Sequence, residues 1–312
     1  DKIYVNELSN YVNQEIINYF LISQKELREG ARDPYIRLRI TDKTGSVVGN
    51  IWNNAKSVSK FFEEGDVVKV KGIVIKYKGQ TQVTVNKIRK MDETDYDLSE
   101  FVQTTQKDTN KLVEELFGFI DNIKNEYLNE LLNNIFEDKE FLKLFAEAPA
   151  AKTWHHNFVG GLLEHTIGVT KVCNFAATQY PVDKDLLITG AILHDIGKVY
   201  EYNRKASIDF TTIGRLVGHL SLGDQLVYEN AAKINQFPEQ LLIKLRHLIL
   251  SHHGEYEKAS VRLPQTLEAI VLHFADNLDA QTVGVKQLKE SAADDAEWTE
   301  YDKLNNRYYL IK

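Results

Sequence analysis

The chain has 312 residues, 43% hydrophobic and 27% charged, with a formal net charge of −7. These are the proportions of an ordinary soluble protein, and the length accommodates two domains. Its one cysteine excludes an internal disulfide, and no run of 18 apolar residues and no secretory leader pattern is visible, so the reading is a cytoplasmic protein in a reducing setting.

The charge is unevenly divided. Residues 1–90 hold 16 Lys+Arg against 10 Asp+Glu, a net +6, and the remainder holds 22 against 35, a net −13. A basic module joined to an acidic one suggests a division of labour, the first attracting a polyanion and the second cations, including metals. Surface charge that drifts between domains without meaning would give the same numbers.

In chain order, Asn13–Ser23 is rich in Ile, Tyr and Phe and reads as a strand. Pro34–Thr41 alternates arginine with aliphatic residues, the period-two pattern of a half-buried strand. Asp42-Lys43-Thr44-Gly45 is a hairpin turn and Ser46–Trp52 the return strand. Asn53–Phe62 predicts a short helix with Ala55, Val58, Phe61 and Phe62 inward. Glu64-Gly65-Asp66 turns into a strand over Val67–Lys76, and Lys78-Gly79-Gln80 turns into a last strand over Thr81–Ile88. Five strands with a helix between the third and fourth is the order of the OB-fold. The stretch Tyr35–Gly45 leading to Gly49-Asn50-Ile51-Trp52 resembles the nucleic-acid-binding OB-folds. Candidate contacts are Arg37, Arg39, Trp52, Lys69, Lys71, Tyr77 and Lys78: cations would track phosphates and rings would stack bases. Against this, core packing accounts for Trp52 equally well, and a solvated strand face accounts for each lysine taken singly.

Met91–Val102 is acidic and aperiodic and reads as a boundary, with Asp108 or Thr109 as the next helix N-cap. Helical spacing follows over Asn110–Ile123, Tyr127–Phe136 and Lys139–Ala146, stopped by Pro149. The expected division is an OB-fold domain over 1–90, a linker over 91–110, a helical lead-in over 111–153 and a metal-binding domain over 154–312.

All nine histidines lie between positions 155 and 273. Helices are expected over Gly160–Ala177 with His165, Lys184–Leu193 ending in His194-Asp195, Gly214–Asn230 with His219, Glu239–Ser251 leading into His252-His253-Gly254, and Leu267–Gln281 with Asp276. His194-Asp195 on an apolar helix is costly to bury unpaired, and imidazole and carboxylate together suit a divalent metal. His165, His194, Asp195 and Asp276 supply two nitrogens and two carboxylates and leave positions open for water and substrate. His219 and one of His252 or His253 complete a second site bridged by Asp195. Neighbours on a helix point about 100° apart, which favours one of that pair as the direct ligand, whereas a bend at the helix-terminal His-His-Gly would free both. Lys198 meets a phosphate oxygen or is a surface lysine. His156 touches a terminal phosphate or sugar, donates a proton, or makes a mere polar contact. His155, His247 and His273 are structural by default, though His273 lies on nearly the same helical face as Asp276. Asp279 orients a ligand or packs helices. Cys173 reads as a small buried hydrophobe, and the aromatic tail over 297–310 returns to the barrel, packs locally or forms a subunit contact.

His165, the pair His194-Asp195, and Asp276 resemble the H…HD…D signature of the HD phosphohydrolase superfamily, and His219 with His252-His253 matches the extra histidines of its two-metal members. With the OB-like front and Trp154-His155-His156 … Gly160-Gly161-Leu162-Leu163-Glu164-His165-Thr166, residues 12–310 resemble the YhaM-type 3′-to-5′ exoribonucleases. The resemblance implies a multidomain α and β protein: a small N-terminal OB-fold β-barrel, then an all-α metal-dependent phosphohydrolase domain. It implies one or two divalent ions, manganese first, with Co, Fe, Mg, Zn or Ni as alternatives. The implied activity removes nucleoside monophosphates from the 3′ end of single-stranded RNA, with single-stranded DNA as a second substrate and a homo-oligomer as an allowed assembly. His165, His194, Asp195, Asp276, Lys198 and His156 would be catalytic. Two other readings are a phosphohydrolase of a small nucleotide or cyclic dinucleotide, and a non-catalytic nucleic-acid-binding module.

Overall fold

The structure, a computed structural model, describes residues 2–30, 33–97, 100–101, 104–105, 107–151, 158–203, 208–290, 296–302 and 304–312. It forms two compact units, one of the first 104 residues together with 208–209 and a larger one of 105–203 and 210–312. No helix among the described residues is long and apolar enough to cross a membrane.

The first unit is a closed five-stranded barrel of order β1-β2-β3-β5-β4. Its strands are β1 (Glu15–Arg28), β2 (Tyr35–Asp42), β3 (Gly45–Ile51), β4 (Val67–Tyr77) and β5 (Gln80–Lys90), with α1 (Ala55–Val58) between β3 and β4. All neighbours are antiparallel except β3 and β5. A short parallel pairing of Val48–Asn50 with Gln82–Thr84 closes the barrel. Alternate residues, among them Ile16, Phe20, Ile36, Leu38, Ile40, Val70 and Val83, fill the interior, each contributing roughly 1.5–3 kcal/mol on burial.

Three features differ from the sequence expectation. β1 runs to Arg28, not Ser23, because it serves two partners: Glu15–Leu21 pairs with β4 and Leu21–Arg28 with β2, with an irregularity between Ile22 and Gln24. Its second half is largely exposed and polar, so no apolar alternation marks it. α1 is a single turn, and Phe61, expected inside, is 70% exposed while Phe62 is buried. A 3-10 helix over Val5–Tyr11 adds Leu8 to the barrel core, held by the Asp42 carboxylate accepting from the Val5 N–H at 2.8 Å. Beyond the barrel, Met91 and Phe101 pack with Leu21 and Val67, so the acidic boundary stretch is anchored by two apolar side chains.

The second unit is helical: α2 (Thr109–Asp121), α3 (Glu126–Phe136), α4 (Lys139–Glu147), α5 (Gly161–Ala176), α6 (Lys184–Leu193), α7 (Lys198–Glu201), α8 (Thr212–Leu216), α9 (His219–Ala231), α10 (Glu239–Ser251) and α11 (Leu267–Glu290). Asp108, Asn125, Asp138 and Asp183 cap α2, α3, α4 and α6 by accepting from backbone N–H groups. One apolar cluster runs from Leu116 and Phe136 through Leu163 and Ile192 to Leu248 and Leu272. The lead-in helices α2–α4 thus share a core with the helices that carry the histidines. α6 is buried from Leu186 to Leu193. A helix apolar on every side belongs at the centre of a fold, and this one delivers His194-Asp195 into the interior.

The helix expected over Gly214–Asn230 is two, α8 and α9, broken at Gly218 with φ 76° and ψ 154°. Only glycine takes that conformation without strain. The last helix continues past Gln281 to Glu290 because no Pro interrupts it. The tail folds on itself through Trp298↔Leu310 and Asp302↔Arg307 bridges, and Gln281 of α11 donates to Asn305.

Candidate metal centre

Five imidazoles converge from four places in the helical unit: His165 on α5, His194 just past α6, His219 opening α9, and His252-His253 just past α10. In each, Nδ1 faces a group that can only accept. His194 Nδ1 donates to the Ala191 carbonyl, His252 Nδ1 to that of Ile249 and His253 Nδ1 to that of Lys258, each at 2.8 Å. His165 Nδ1 lies 2.7 Å from Asp279 Oδ2, and His219 Nδ1 lies 2.9 Å from Glu201 Oε1. With the Nδ1 position holding the proton, each neutral ring presents a bare Nε2 lone pair to the centre.

Those lone pairs crowd one another. His165 and His194 Nε2 are 3.3 Å apart, as are His219 and His253 Nε2. Asp195 stands between the two pairs. Its Oδ2 is 3.5 Å from His165 Nε2 and 3.3 Å from His194 Nε2, and its Oδ1 is 3.5 Å from both His219 and His252 Nε2. Asp276 Oδ1 adds to the first pair, 3.1 Å from His165 Nε2. The atoms form two groups able to hold an ion, His165–His194–Asp276 and Asp195–His219–His252–His253. Asp195 Oδ1 and His252 Nε2 are buried without a hydrogen-bond partner. An orphaned buried polar atom costs about 1–3 kcal/mol, more when charged. A cation would satisfy both, and an imidazole–carboxylate donor set suits divalent Zn, Mn, Fe or Co. The residues present fit such ions.

The electrostatics agree. Burial opposes charge on His165, but the Asp276 and Asp279 carboxylates outweigh it and raise the ring to about 9. A proton there occupies the place of a cation. Burial, reinforced by the nearby His252 and His219, holds His253 down at about 3, so that ring stays neutral and available. Burial disfavours the Asp195 carboxylate, but Lys198 and His194 hold it well below its usual range, and His165 does the same for Asp276. The site is open on one side: His165, His194 and Asp195 are nearly fully buried, whereas the His219 and Asp276 side chains keep 13% and 16% of their surface exposed.

Several sequence expectations change. His252 and His253 both turn Nε2 inward, and both belong to the same group able to hold an ion. His252 ends the helix, and the left-handed Gly254 at φ 77° frees His253 to turn. Lys198 is not a surface lysine: it is buried, with Nζ donating to Asp195 Oδ2 at 2.6 Å. His273 Nδ1 donates to the His252 carbonyl at 2.8 Å, and so steadies that turn. His247 accepts from the Gln265 N–H, and Cys173 is buried. His155 and His156 lie outside the described residues. Glu201 was not anticipated. It stands six residues past Asp195, and only the break at Gly218 brings His219 back to it. Gly168 carries no signal in the sequence. A Cβ there would lie 2.3 Å from Asp279 Oδ1, so its bareness admits the carboxylate behind His165.

On the barrel the candidate contacts fall in separate places. Arg37 and Arg39 lie on β2, and Trp52 directly follows β3, half exposed and stacked on Tyr35 at 4.6 Å and 25° rather than in the core. Arg39 reaches Gln24 and Ser46. Tyr77 and Lys78 sit at the β4–β5 turn. OB-folds bind oligonucleotides on the strand 2–3 face and the loops beside it. Lys69 and Lys71 stand on β4, between β1 and β5. Lys71 is paired with Glu15 at 2.9 Å and Lys69 lies over the Tyr19 ring.

Two family models match the chain: an OB-fold nucleic acid binding domain over residues 22–91 and an HD domain over residues 162–281. The latter span contains every residue of the two ion-holding groups. The 3′-5′ exoribonuclease YhaM of Bacillus velezensis is 33% identical over 276 residues, 87% of this chain and 87% of the relative. Among solved structures, the second OB-fold domain of replication protein A from Methanococcus maripaludis overlaps 30% of this chain and 97% of its own at 20% identity and TM-score 0.25. Asparaginyl-tRNA synthetase from Pyrococcus horikoshii overlaps 50% of this chain and 35% of its own at 19% identity and TM-score 0.25.

Proposed function

We propose, from the premise that the chain belongs to the YhaM family of 3′-5′ exoribonucleases, that it removes nucleoside monophosphates from the 3′ end of single-stranded RNA with two divalent ions. Manganese is the first choice of ion, single-stranded DNA a second substrate and the cytoplasm the setting. One observation carries this reading: seven ligand atoms or more converge in two groups with one carboxylate, Asp195, between them.

Bound there, divalent ions would supply an activated water and offset the charge that builds on the phosphoryl oxygens. His165, His194 and Asp276 would hold one ion, and His219, His252 and His253 the other. Asp195 would contribute one oxygen to each. The rim at Asp276 and His219 is where a scissile phosphate has room to enter. Lys198, 2.6 Å from Asp195, adds a positive charge that favours a phosphate beside the acidic pair. His156 is retained as a group acting on the terminal phosphate or sugar. In the barrel, Arg37 and Arg39 would follow the phosphates and the Trp52–Tyr35 stack would receive a base. Lys69, Lys71, Tyr77 and Lys78 would add cationic and aromatic contacts from β4 and the neighbouring turn.

A 5′-labelled single-stranded RNA incubated with Mn²⁺, with and without EDTA, tests the reading. A descending ladder that EDTA abolishes supports it. An intact oligonucleotide alongside phosphate release from mononucleotides would favour a small-nucleotide phosphohydrolase instead. RNA binding with neither reaction would leave a non-catalytic binding module.

A further inference from the structure

Glu201 closes α7, its side chain only 6% exposed. Its Oε1 accepts two hydrogen bonds from the same residue: the His219 backbone N–H at 3.0 Å and His219 Nδ1 at 2.9 Å. The backbone N–H opens α9 and has no partner inside that helix. One carboxylate oxygen therefore caps α9 and fixes the ring plane of its first residue. The opposite nitrogen, Nε2, is left 3.5 Å from Asp195 Oδ1 and 3.3 Å from His253 Nε2.

The backbone around this pair leaves little freedom. A Cβ on Gly214 would lie 2.2 Å from the Glu201 carbonyl oxygen, so α8 rests directly on it. A Cβ on Gly197 would lie 2.1 Å from the His219 carbonyl oxygen. Two glycines thus let α7, α8 and the start of α9 close around the Glu201–His219 contact.

The five rings are not backed alike. His194, His252 and His253 lean on neutral carbonyls. Only His165 and His219 lean on carboxylates, Asp279 and Glu201. These two rings belong to different ion-holding groups, so each group has one carboxylate-backed imidazole. A carboxylate behind a ligating histidine fixes its tautomer and makes it a stronger donor.

We infer that Glu201 is a positioning residue that sets the ion affinity of the His219–His252–His253 group, as Asp279 does for the His165–His194–Asp276 group. This rests on the two-ion reading above. Glu201 would not touch the ion or the substrate; it acts through His219.

The test is Mn²⁺ binding to full-length protein stripped with chelator, followed by calorimetric titration and elemental analysis, with melting of the stripped protein as a check on folding. The variants are Glu201→Gln, which preserves the shape and an accepting oxygen but removes the charge, His219→Ala, and the two combined. The wild type is expected to take two ions. Glu201→Gln is expected to keep one ion at wild-type affinity and bind the other about 10–100-fold more weakly, with the stripped protein melting as the wild type does. In the His219→Ala background, Glu201→Gln is expected to add no further loss. Unchanged binding of both ions overturns the inference. So does equal weakening of both ions with a lowered melting temperature, which marks a purely structural role. A wild type that takes fewer than two ions sinks the two-ion reading itself, and the inference with it.

Discussion

His165 Nδ1 and Asp279 Oδ2 meet at 2.7 Å across Gly168. The contact turns His165 Nε2 toward Asp276 and makes Asp279 part of the site without bringing it to the centre. Asp279→Asn is expected to weaken the ion of this group about 10–100-fold. Gly168→Ala, whose added methyl would sit 2.3 Å from Asp279 Oδ1, is expected to weaken the same ion by pushing the carboxylate aside. Mn²⁺ titration of stripped protein checks both; wild-type affinity in Asp279→Asn contradicts the assignment.

Asp195 lies between the two groups, so its loss should not be selective. Asp195→Asn is expected to weaken both ions together, by more than the roughly 10–100-fold of an outer partner. The variant also leaves the buried Lys198 ammonium without its carboxylate, which lowers stability. Elemental analysis therefore belongs beside a melting curve. Retention of one ion at full affinity would show that Asp195 serves a single group.

The raised His165 ring predicts opposite pH responses for stripped and loaded protein. Its folded value of about 9 lies above the ordinary 6.5. In the stripped protein its contribution to stability is therefore full below about 6.5 and is lost as pH rises through about 9. An ion needs Nε2 bare, so Mn²⁺ affinity rises across the same window as proton competition fades. Melting curves of the stripped protein and titrations at pH 6.5 and pH 9 test this. A stripped protein that gains stability through this window, or affinity that falls, contradicts it.

The barrel predicts a difference between its faces. Trp52→Ala is expected to weaken single-stranded RNA binding by the roughly 1–3 kcal/mol of one stacked base. Arg37→Ala and Arg39→Ala should each lower the salt slope by roughly 0.7. Lys71→Ala should matter less, because Lys71 already pairs with Glu15 on another face. Anisotropy of a labelled oligonucleotide across a salt series reads all of these. Equal losses at Lys71 and Arg39 would place the RNA elsewhere on the barrel.

How much of this was legible in the sequence depended on what each residue does. The barrel order was legible because strands filling a closed interior alternate, as Ile36, Leu38 and Ile40 do. The exposed half of β1 and the Val5–Tyr11 plug carry no such pattern. His165, His194, Asp195 and Asp276 stand out as polar residues on apolar helices. The groups behind them are harder to read. Asp279 is legible only as three residues past Asp276, and Glu201 looks like a surface acid until Gly218 and Gly197 are seen to admit it. Both His252 and His253 can face inward because the chain leaves the helix there, and helical spacing alone argues against that.

The claim on which the account depends is that two ions flank Asp195. Crystals grown with Mn²⁺ and measured for anomalous scattering test it directly. Two peaks are predicted, one bonded to His165, His194 and Asp276 and the other to His219, His252 and His253, each also touching one Asp195 oxygen. No peak among these side chains, or a peak that leaves Asp195 out, would contradict it.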